Sequence, residues 1–171
     1  NDPGLFGAIT AQGVSLSEIQ SSNRTRVYCM AITATDSRDR GQPSSWSAEL
    51  DALSSGYADD ERRLFVICAG NVQEFREWAN YPDSNLTNEI HDPGQSWNAL
   101  TVGAYTCKTD ITDPSCAGYR AMAPAGGLSP FSTTALAWEN KWPAKPDIVM
   151  EGGNVAVDGN GFASELDDLS L

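Results

Sequence analysis

The residues best suited to chemistry in this chain are the last four of the run Leu64-Phe65-Val66-Ile67-Cys68-Ala69-Gly70-Asn71. Asn71 carries an amide that can donate hydrogen bonds to an oxyanion as charge develops on it during acyl transfer. Ala69 and Gly70 are small, so a second backbone can approach them closely. Asparagine after glycine is also common in turns. The local pattern therefore leaves two interpretations open, an oxyanion donor and a turn residue.

A nucleophilic triad cannot be assembled from this sequence. The chain has no Gly-x-Ser-x-Gly motif, and its one histidine, His91, lies between Ile90 and the run Asp92-Pro93-Gly94. An aspartate that is adjacent in sequence does not orient an imidazole as a spatial partner does. We therefore interpret His91 as a loop residue and expect no activated serine within the chain.

Metal and cofactor sites are not expected either. Residues 154–165 partly fit a calcium-binding loop, but Ala156 occupies a ligand position of that pattern. The run Asp158-Gly159-Asn160-Gly161 is typical of a turn between poorly ordered segments. The four cysteines and His91 lack the paired spacing of a zinc site.

Charge and hydropathy exclude two classes of partner. The 171 residues include 11 Lys and Arg against 23 Asp and Glu, a formal net charge of −12, and no basic run is longer than Arg62-Arg63. Nucleic acid and anionic membranes are therefore improbable partners. The longest apolar run, residues 64–69, is far shorter than the roughly 20 residues that span a bilayer. We expect one domain over residues 1–171.

The spacing of the cysteines indicates the cellular compartment of the protein. Cys29, Cys68, Cys107 and Cys116 show no Cys-x-x-Cys spacing, which favours reduced thiols and a cytoplasmic protein. The alternative is a secreted protein with a Cys107–Cys116 disulfide, in which the sequons at Asn23 and Asn85 would matter. The chain begins with Asn1 and opens with no signal pattern, so we expect a processed chain or a segment of a longer protein.

Alternating helix-like and strand-like segments predict an α/β fold that places Asn71 at the carboxyl end of a strand, where ligands of open sheets bind. Residues 27–33, 64–69 and 100–104 should be neighbouring parallel strands, the second covered on both faces. Residues 128–133 and 147–150 are shorter extended candidates. The first predicted helix covers residues 5–19, with Leu5, Ile9, Leu16 and Ile19 at helical spacing. The second is capped by Ser44 or Ser45 and ends at Gly56. Its apolar residues on one face are Trp46, Leu50, Leu53 and Tyr57.

Taken in order, these pieces resemble the second half of the catalytic domain of a subtilisin-like serine protease, or subtilase. Met30-Ala31-Ile32-Thr33 resembles the family's Met-Ser-Leu-Gly strand, and residues 64–71 resemble its strand ending in Ala-Gly-Asn. Residues 99–104 resemble its Ile-x-Val-Gly-Ala strand. Residues 128–132 resemble its Phe-Ser-Ser turn, and residues 145–149 resemble its Lys-Pro-Asp-Ile segment. Ala31 and Thr33 stand where the family has serine and glycine.

The resemblance implies a three-layer α/β fold with a mainly parallel sheet, incomplete here, and a polypeptide substrate. It implies that Asn71 stabilises the oxyanion. Two walls of the primary specificity pocket would be formed by Ala31, Ile32 and Thr33 on one side and by Cys68, Ala69 and Gly70 on the other.

The resemblance also implies that the chain is inactive alone. The family's Asp, His and Ser motifs are all missing from these residues, so the parent endopeptidase would carry them outside the segment. Residues 38–47 and 151–154 resemble a cytoplasmic bacterial branch found beside AAA-type ATPase genes, which implies a possible ATPase partner. The alternative is a non-catalytic α/β domain that binds proteins.

Overall fold

A computed structural model describes residues 2–35 and 39–171 of the chain. Its helices are α1 (Phe6–Gln20), α2 (Ser45–Ser55), α3 (Phe75–Trp78) and α4 (Asp83–Thr87), and its strands are β1 (Val27–Met30), β2 (Leu64–Cys68), β3 (Leu100–Thr106), β4 (Arg120–Ala121), β5 (Gly127–Leu128), β6 (Ile148–Glu151), β7 (Ala156–Val157) and β8 (Ala163–Ser164). The α/β class is confirmed.

The main sheet is built on the three predicted parallel strands. β1 pairs with β2, β2 pairs with β3, and β6 lies parallel to β3 on its other side. The predicted parallel order is thus confirmed, although β1 ends at Met30 and residues 31–33 run on beyond the paired region. β5 pairs antiparallel with the far end of β3 at Tyr105. Because β6 also pairs there, β5 must lie on the β2 side of β3, beyond the point where β2 ends.

Helices α1 and α2 cover one face of this sheet. Phe65 and Ile67 of β2 point towards them and are 0% and 1% exposed, as the alternation of side chains along a strand requires. Leu64, on the opposite face, is 48% exposed. The expectation that β2 is covered on both faces is therefore wrong for the described residues, which carry helices over one face only. The core beneath the helices consists of Val14, Trp46, Leu50, Phe65, Ile67 and Ala99.

Helix α1 forms where the sequence predicts it but buries a different face. The apolar stripe of Leu5, Ile9, Leu16 and Ile19 is 54–79% exposed, whereas Gly7 and Val14 are buried. A Cβ at Gly7 would lie 3.0 Å from Glu49 Cβ and 3.2 Å from the Ser45 carbonyl oxygen. The small residue thus lets α1 lie close against α2, and this contact overrides the hydrophobic pattern.

Helix α2 follows its predicted signals at both ends. Ser44 and Ser47 form a reciprocal capping box, each side chain accepting from the other's backbone N–H. Gly56 ends the helix with a φ of 72°, which glycine adopts at little cost. Tyr57 lies beyond the helix and is 87% exposed, so its predicted place on the buried face is wrong.

The second sheet, β4-β7-β8, is antiparallel and occupies the C-terminal part of the chain. The turn predicted at Asp158 is confirmed, because its carboxylate accepts the backbone N–H groups of Asn160 and Phe162. Its flanks are the paired strands β7 and β8 rather than poorly ordered segments. Of residues 128–133, Leu128 alone belongs to a strand, because the chain turns where Ser132 N–H bonds to the Ser129 carbonyl.

The sulfur atoms of all four cysteines are free, including those of Cys107 and Cys116. Asn85 is 1% exposed, and its amide donates to the carbonyls of Ser129 and Ser132. Its sequon therefore cannot carry a glycan in this fold. Within the described part of the chain, no helix is both long and apolar enough to cross a membrane.

Candidate functional site

A groove of about 530 Å³ opens at the carboxyl ends of the parallel strands. It brings together six of the seven residues that the sequence predicts for the site. The residues around it are Ala31, Ile32, Thr33, Cys68, Gly70, Asn71, Gln73, Val102, Gly103, Ala104, Phe131 and Ser132. We call residues 31–33 the edge wall and residues 68–70 the inner wall.

Ala69 is the predicted residue that does not line the groove. Its side chain is 1% exposed and packs with Ile90 and Trp138 on the far side of the inner wall. This orientation follows from strand alternation, which turns Cys68 towards the groove and Ala69 away from it. The backbone of Ala69 is held on both sides. Its N–H donates to the Val102 carbonyl at 2.9 Å, and its carbonyl accepts from His91 N–H and Thr133 Oγ1, both at 2.8 Å.

Gly70 has a backbone conformation that a larger residue would find strained. Its φ is +113°, and a Cβ built on it would lie 2.3 Å from Cγ of the His91 ring. Both facts require glycine at this position. The chain leaves β2 through this residue, and two residues later Val72 N–H bonds to the Phe131 carbonyl, in the turn that follows β5. Asn71 is thereby fixed between two anchored points.

Asn71 is exposed and lines two cavities at once. The first is the groove. The second, of about 570 Å³, is bounded by Phe131, Gly153 and residues of the 165–171 segment. Among residues 2–35 and 39–171, none forms a hydrogen bond with the Asn71 side chain. Its amide is therefore available to a ligand that spans the two cavities.

The edge wall continues an edge strand. β1 pairs with β2 on one side, and its other side has no partner strand among the residues that the structure describes. Ile32 is 66% exposed. Ala34, just after the wall, exchanges two backbone hydrogen bonds with Asp92, at 2.8 and 3.0 Å. An unpaired edge of this kind can accept an extended peptide as an added strand.

The segment around His91 is the part of the site that sequence reasoning missed. His91 is 7% exposed and bonds through its backbone to the inner wall, while Asp92 bonds to the chain just beyond the edge wall. The Asp92 carboxylate accepts from Ser44 Oγ at 2.5 Å and from Gln95 Nε2 at 3.0 Å. Since Ser44 caps α2, Asp92 ties this segment to the helix. Interpreting His91 as a loop residue is correct for its backbone but misses its contacts.

Cys68 is the thiol in the groove. Burial raises the pKa of the Cys68 thiol, so the group stays protonated at neutral pH. A protonated thiol is a poor nucleophile, so Cys68 contributes to the wall of the groove rather than an activated attacking group.

A calcium site at residues 154–165 conflicts with the hydrogen bonds of Asn154. Its Oδ1 accepts from the N–H groups of Ala123 and Val155, and its Nδ2 donates to the carbonyls of Lys108 and Ala123. Both ends of the amide are thus occupied within the protein. Within residues 2–35 and 39–171, no three His, Cys, Asp or Glu side chains are grouped so as to hold a metal ion.

Comparison with curated proteins finds no match to this chain. A family model does match it, and the description of that family is the subtilase family of peptidases. The match extends over residues 1–170, nearly the full 171 residues, and so includes both groove walls and Asn71. The chain belongs to the subtilase family.

Proposed function

We propose that this chain is the part of a serine endopeptidase that binds the substrate and stabilises the oxyanion, with the nucleophile and base lying outside residues 1–171. The reaction would be hydrolysis of a peptide bond through an acyl-enzyme. The observation that carries the proposal is the free amide of Asn71 at the junction of two cavities, in a member of the subtilase family.

The position of Asn71 suits a scissile carbonyl. A peptide that crosses from the groove into the second cavity would pass Asn71 at the point where the two meet. As the carbonyl oxygen gains charge, the amide donates a stronger hydrogen bond to it than to the ground state. The anchored inner wall fixes the backbone from which the donor extends before reaction, which limits the reorganisation needed.

The walls would bind the substrate chain on the acyl side. An extended peptide can pair its backbone with the unpaired side of residues 31–33, which supplies affinity without reference to sequence. One substrate side chain would then enter the space between Thr33, Cys68 and Gly70. Ala69 would contribute through its backbone, which holds Gly70 in place.

The test is steady-state kinetics of the full-length protein and its Asn71→Leu variant on a peptide substrate. Leucine keeps the approximate volume and removes the donor. We expect kcat to fall by about 10²–10³, the size known for the oxyanion asparagine of subtilisin, which belongs to this family, and KM to change little. Asn140→Leu, the same change at another exposed asparagine, is the control and should leave both constants unchanged.

A folded Asn71→Leu variant with unchanged kcat would return Asn71 to the role of a turn residue. The chain of residues 1–171 alone should neither cleave peptides nor react with a fluorophosphonate probe. Labelling of one of its serines would contradict the assignment of the nucleophile to another segment. A full-length protein that binds peptides but never cleaves them would support the non-catalytic alternative.

We also propose a cytoplasmic location and an AAA-type ATPase partner. The free cysteines and the buried sequon at Asn85 support the first. The resemblance of residues 38–47 and 151–154 to the ATPase-associated branch supports the second. The test is co-purification of the full-length protein with an AAA-type ATPase from its own cells, and failure to recover any such ATPase would contradict the second proposal.

A further inference from the structure

We infer that Trp78 is a positioning residue for the reaction, because its indole N–H holds the backbone next to Asn71 and so directs the Asn71 amide towards the oxyanion. This inference rests on the proposed function of Asn71 and adds a second residue to it. Trp78 lines neither the groove nor the second cavity, and it acts through the backbone of Val72.

The direction of the Asn71 side chain depends on its backbone. Within the described part of the chain, no residue forms a hydrogen bond with this side chain, so no side-chain partner orients it. On one side of Asn71, the inner wall fixes the chain, since Ala69 is bonded at both its N–H and its carbonyl. On the other side, the restraint comes from Val72.

The backbone of Val72 is bonded at both its N–H and its carbonyl. Val72 N–H donates to the Phe131 carbonyl at 2.9 Å, and the Val72 carbonyl accepts from Trp78 Nε1 at 2.8 Å. The rings of Trp78 and Phe131 meet edge to face, with centroids 5.2 Å apart and planes at 84°. These three contacts form a closed loop through Val72, Phe131 and Trp78, directly after Asn71.

Trp78 is itself held by packing. It belongs to helix α3, is 6% exposed and lies in a core cluster with Val72, Val155 and Ala163. Protein interiors are close-packed, so the indole cannot turn away without displacing these neighbours. Its N–H is therefore a donor in a fixed position.

Loss of this N–H should change the position of Asn71. Val72 is 2% exposed, and a buried carbonyl that loses its donor is costly, so the Val72 peptide would shift towards another donor or water. A displacement of about 1 Å at a reacting group can lower the rate by about 10²-fold. Since the amide acts on charge that develops in the transition state, the loss should appear in kcat rather than in KM.

The experiment measures kcat, KM and the melting temperature of the full-length protein and its Trp78→Phe variant with a peptide substrate. Phenylalanine keeps an aromatic ring and removes the donor. We expect kcat to fall by about 10-fold, less than for Asn71→Leu, with little change in KM.

Trp46→Phe is the matched control. Trp46 is 5% exposed, its Nε1 donates to Thr10 Oγ1 at 2.9 Å, and its ring packs against Phe6 with centroids 5.0 Å apart. The same change there also removes one buried N–H and part of a ring, but in the core beneath α1 and α2. It should lower the melting temperature by a similar amount and leave kcat unchanged. An equal loss of kcat in both variants overturns the inference.

A double variant tests whether Trp78 acts through Asn71. In the Asn71→Leu background, Trp78→Phe should lower kcat no further, because the donor that it positions is gone. An additional loss there overturns the inference, and so does a folded Trp78→Phe protein that keeps the wild-type kcat. If Trp78→Phe does not fold, benzothienylalanine at position 78, which replaces the N–H with sulfur at nearly the same volume, gives the same comparison. An unchanged kcat in Asn71→Leu would instead refute the proposed function.

Discussion

The two walls of the groove are built in opposite ways. The inner wall is held by backbone and side-chain hydrogen bonds to three other segments, around Val102, Thr133 and His91. The edge wall extends past the last paired residue of an edge strand, with Ile32 66% exposed and its nearest backbone bonds at Ala34. The backbone N–H and C=O groups of Ala69 in the inner wall are hydrogen-bonded within the protein, whereas the edge wall still has unpaired backbone groups.

This difference matches what each wall has to do in the proposed reaction. A donor that stabilises developing charge must be fixed in advance, and Asn71 extends from the wall that is held most firmly. A surface that binds many peptides through their backbone needs unpaired N–H and C=O groups, and the edge wall has them. Changes to the inner wall should therefore affect folding and kcat, whereas changes to the edge wall should affect KM.

The largest effect is expected from Gly70→Ala. A φ of +113° costs an alanine about 1–3 kcal/mol, and its Cβ would also collide with the His91 ring. Gly118→Ala is the control, because Gly118 has a φ of +102° with nothing within 4 Å of its Cβ position. Both variants should have a lower melting temperature than the wild type, with the larger decrease for Gly70→Ala. Only Gly70→Ala should also lower kcat. Equal melting temperatures for the two variants would show that the ring contact is not tight.

A smaller and more selective effect is expected from proline in the edge wall. Successive N–H groups of an extended segment point to opposite sides, so Ile32→Pro and Thr33→Pro remove donors on opposite sides. The variant that removes the outward donor should raise KM by about 10-fold, the scale of one backbone hydrogen bond, with little change in kcat. The two variants should therefore differ in KM. Equal and unchanged KM values would mean that substrates do not pair with this edge.

The sheet could be predicted from the sequence because each central strand is a short apolar run with a crossover to the next. The capped helix α2 was predictable for a similar reason, since Ser44 and Gly56 act locally. The ordered motifs also indicated six of the twelve residues that line the groove, those of the edge wall together with Cys68, Gly70 and Asn71. Even the orientation of Ala69 follows from alternation along the strand, once the strand is placed.

The contacts that were not predictable join residues far apart in the chain. His91 lies 58 residues from Thr33, and no local pattern indicates that its ring meets that wall. The buried face of α1 depends on Gly7 fitting against α2, which a hydrophobic stripe cannot reveal. The roles assigned to Asn71 and the two walls stay predictions, because they concern a substrate and a transition state.

The smallest effect is expected at the other end of the strands. Arg63, just before β2, pairs with Glu18 of α1 at 2.7 Å and with Asp59 at 2.6 Å, and the hydrogen bond from Arg63 lowers the pKa of the Glu18 carboxyl. Glu18 is therefore ionised more readily in the folded than in the unfolded chain. Its contribution to stability is full above the ordinary pKa of 4.5 and is lost as the pH falls through the lower folded value.

Glu18→Gln should cost at most about 1 kcal/mol at neutral pH, because the carboxylate is partly exposed and screened by solvent. The cost should shrink below pH 4.5, and kcat and KM should not change, since the pair lies far from both walls. Denaturant titrations from pH 3 to 7 measure the first effect and peptide kinetics the second. Glu139→Gln is the control. The Lys141 ammonium also lowers the pKa of the Glu139 carboxyl, but the pair is exposed to solvent, so this variant should change the titrations less than Glu18→Gln does. A lower kcat for Glu18→Gln would show that a loss of stability far from the groove changes the geometry of the groove. The inner wall would then not be held independently of the rest of the fold.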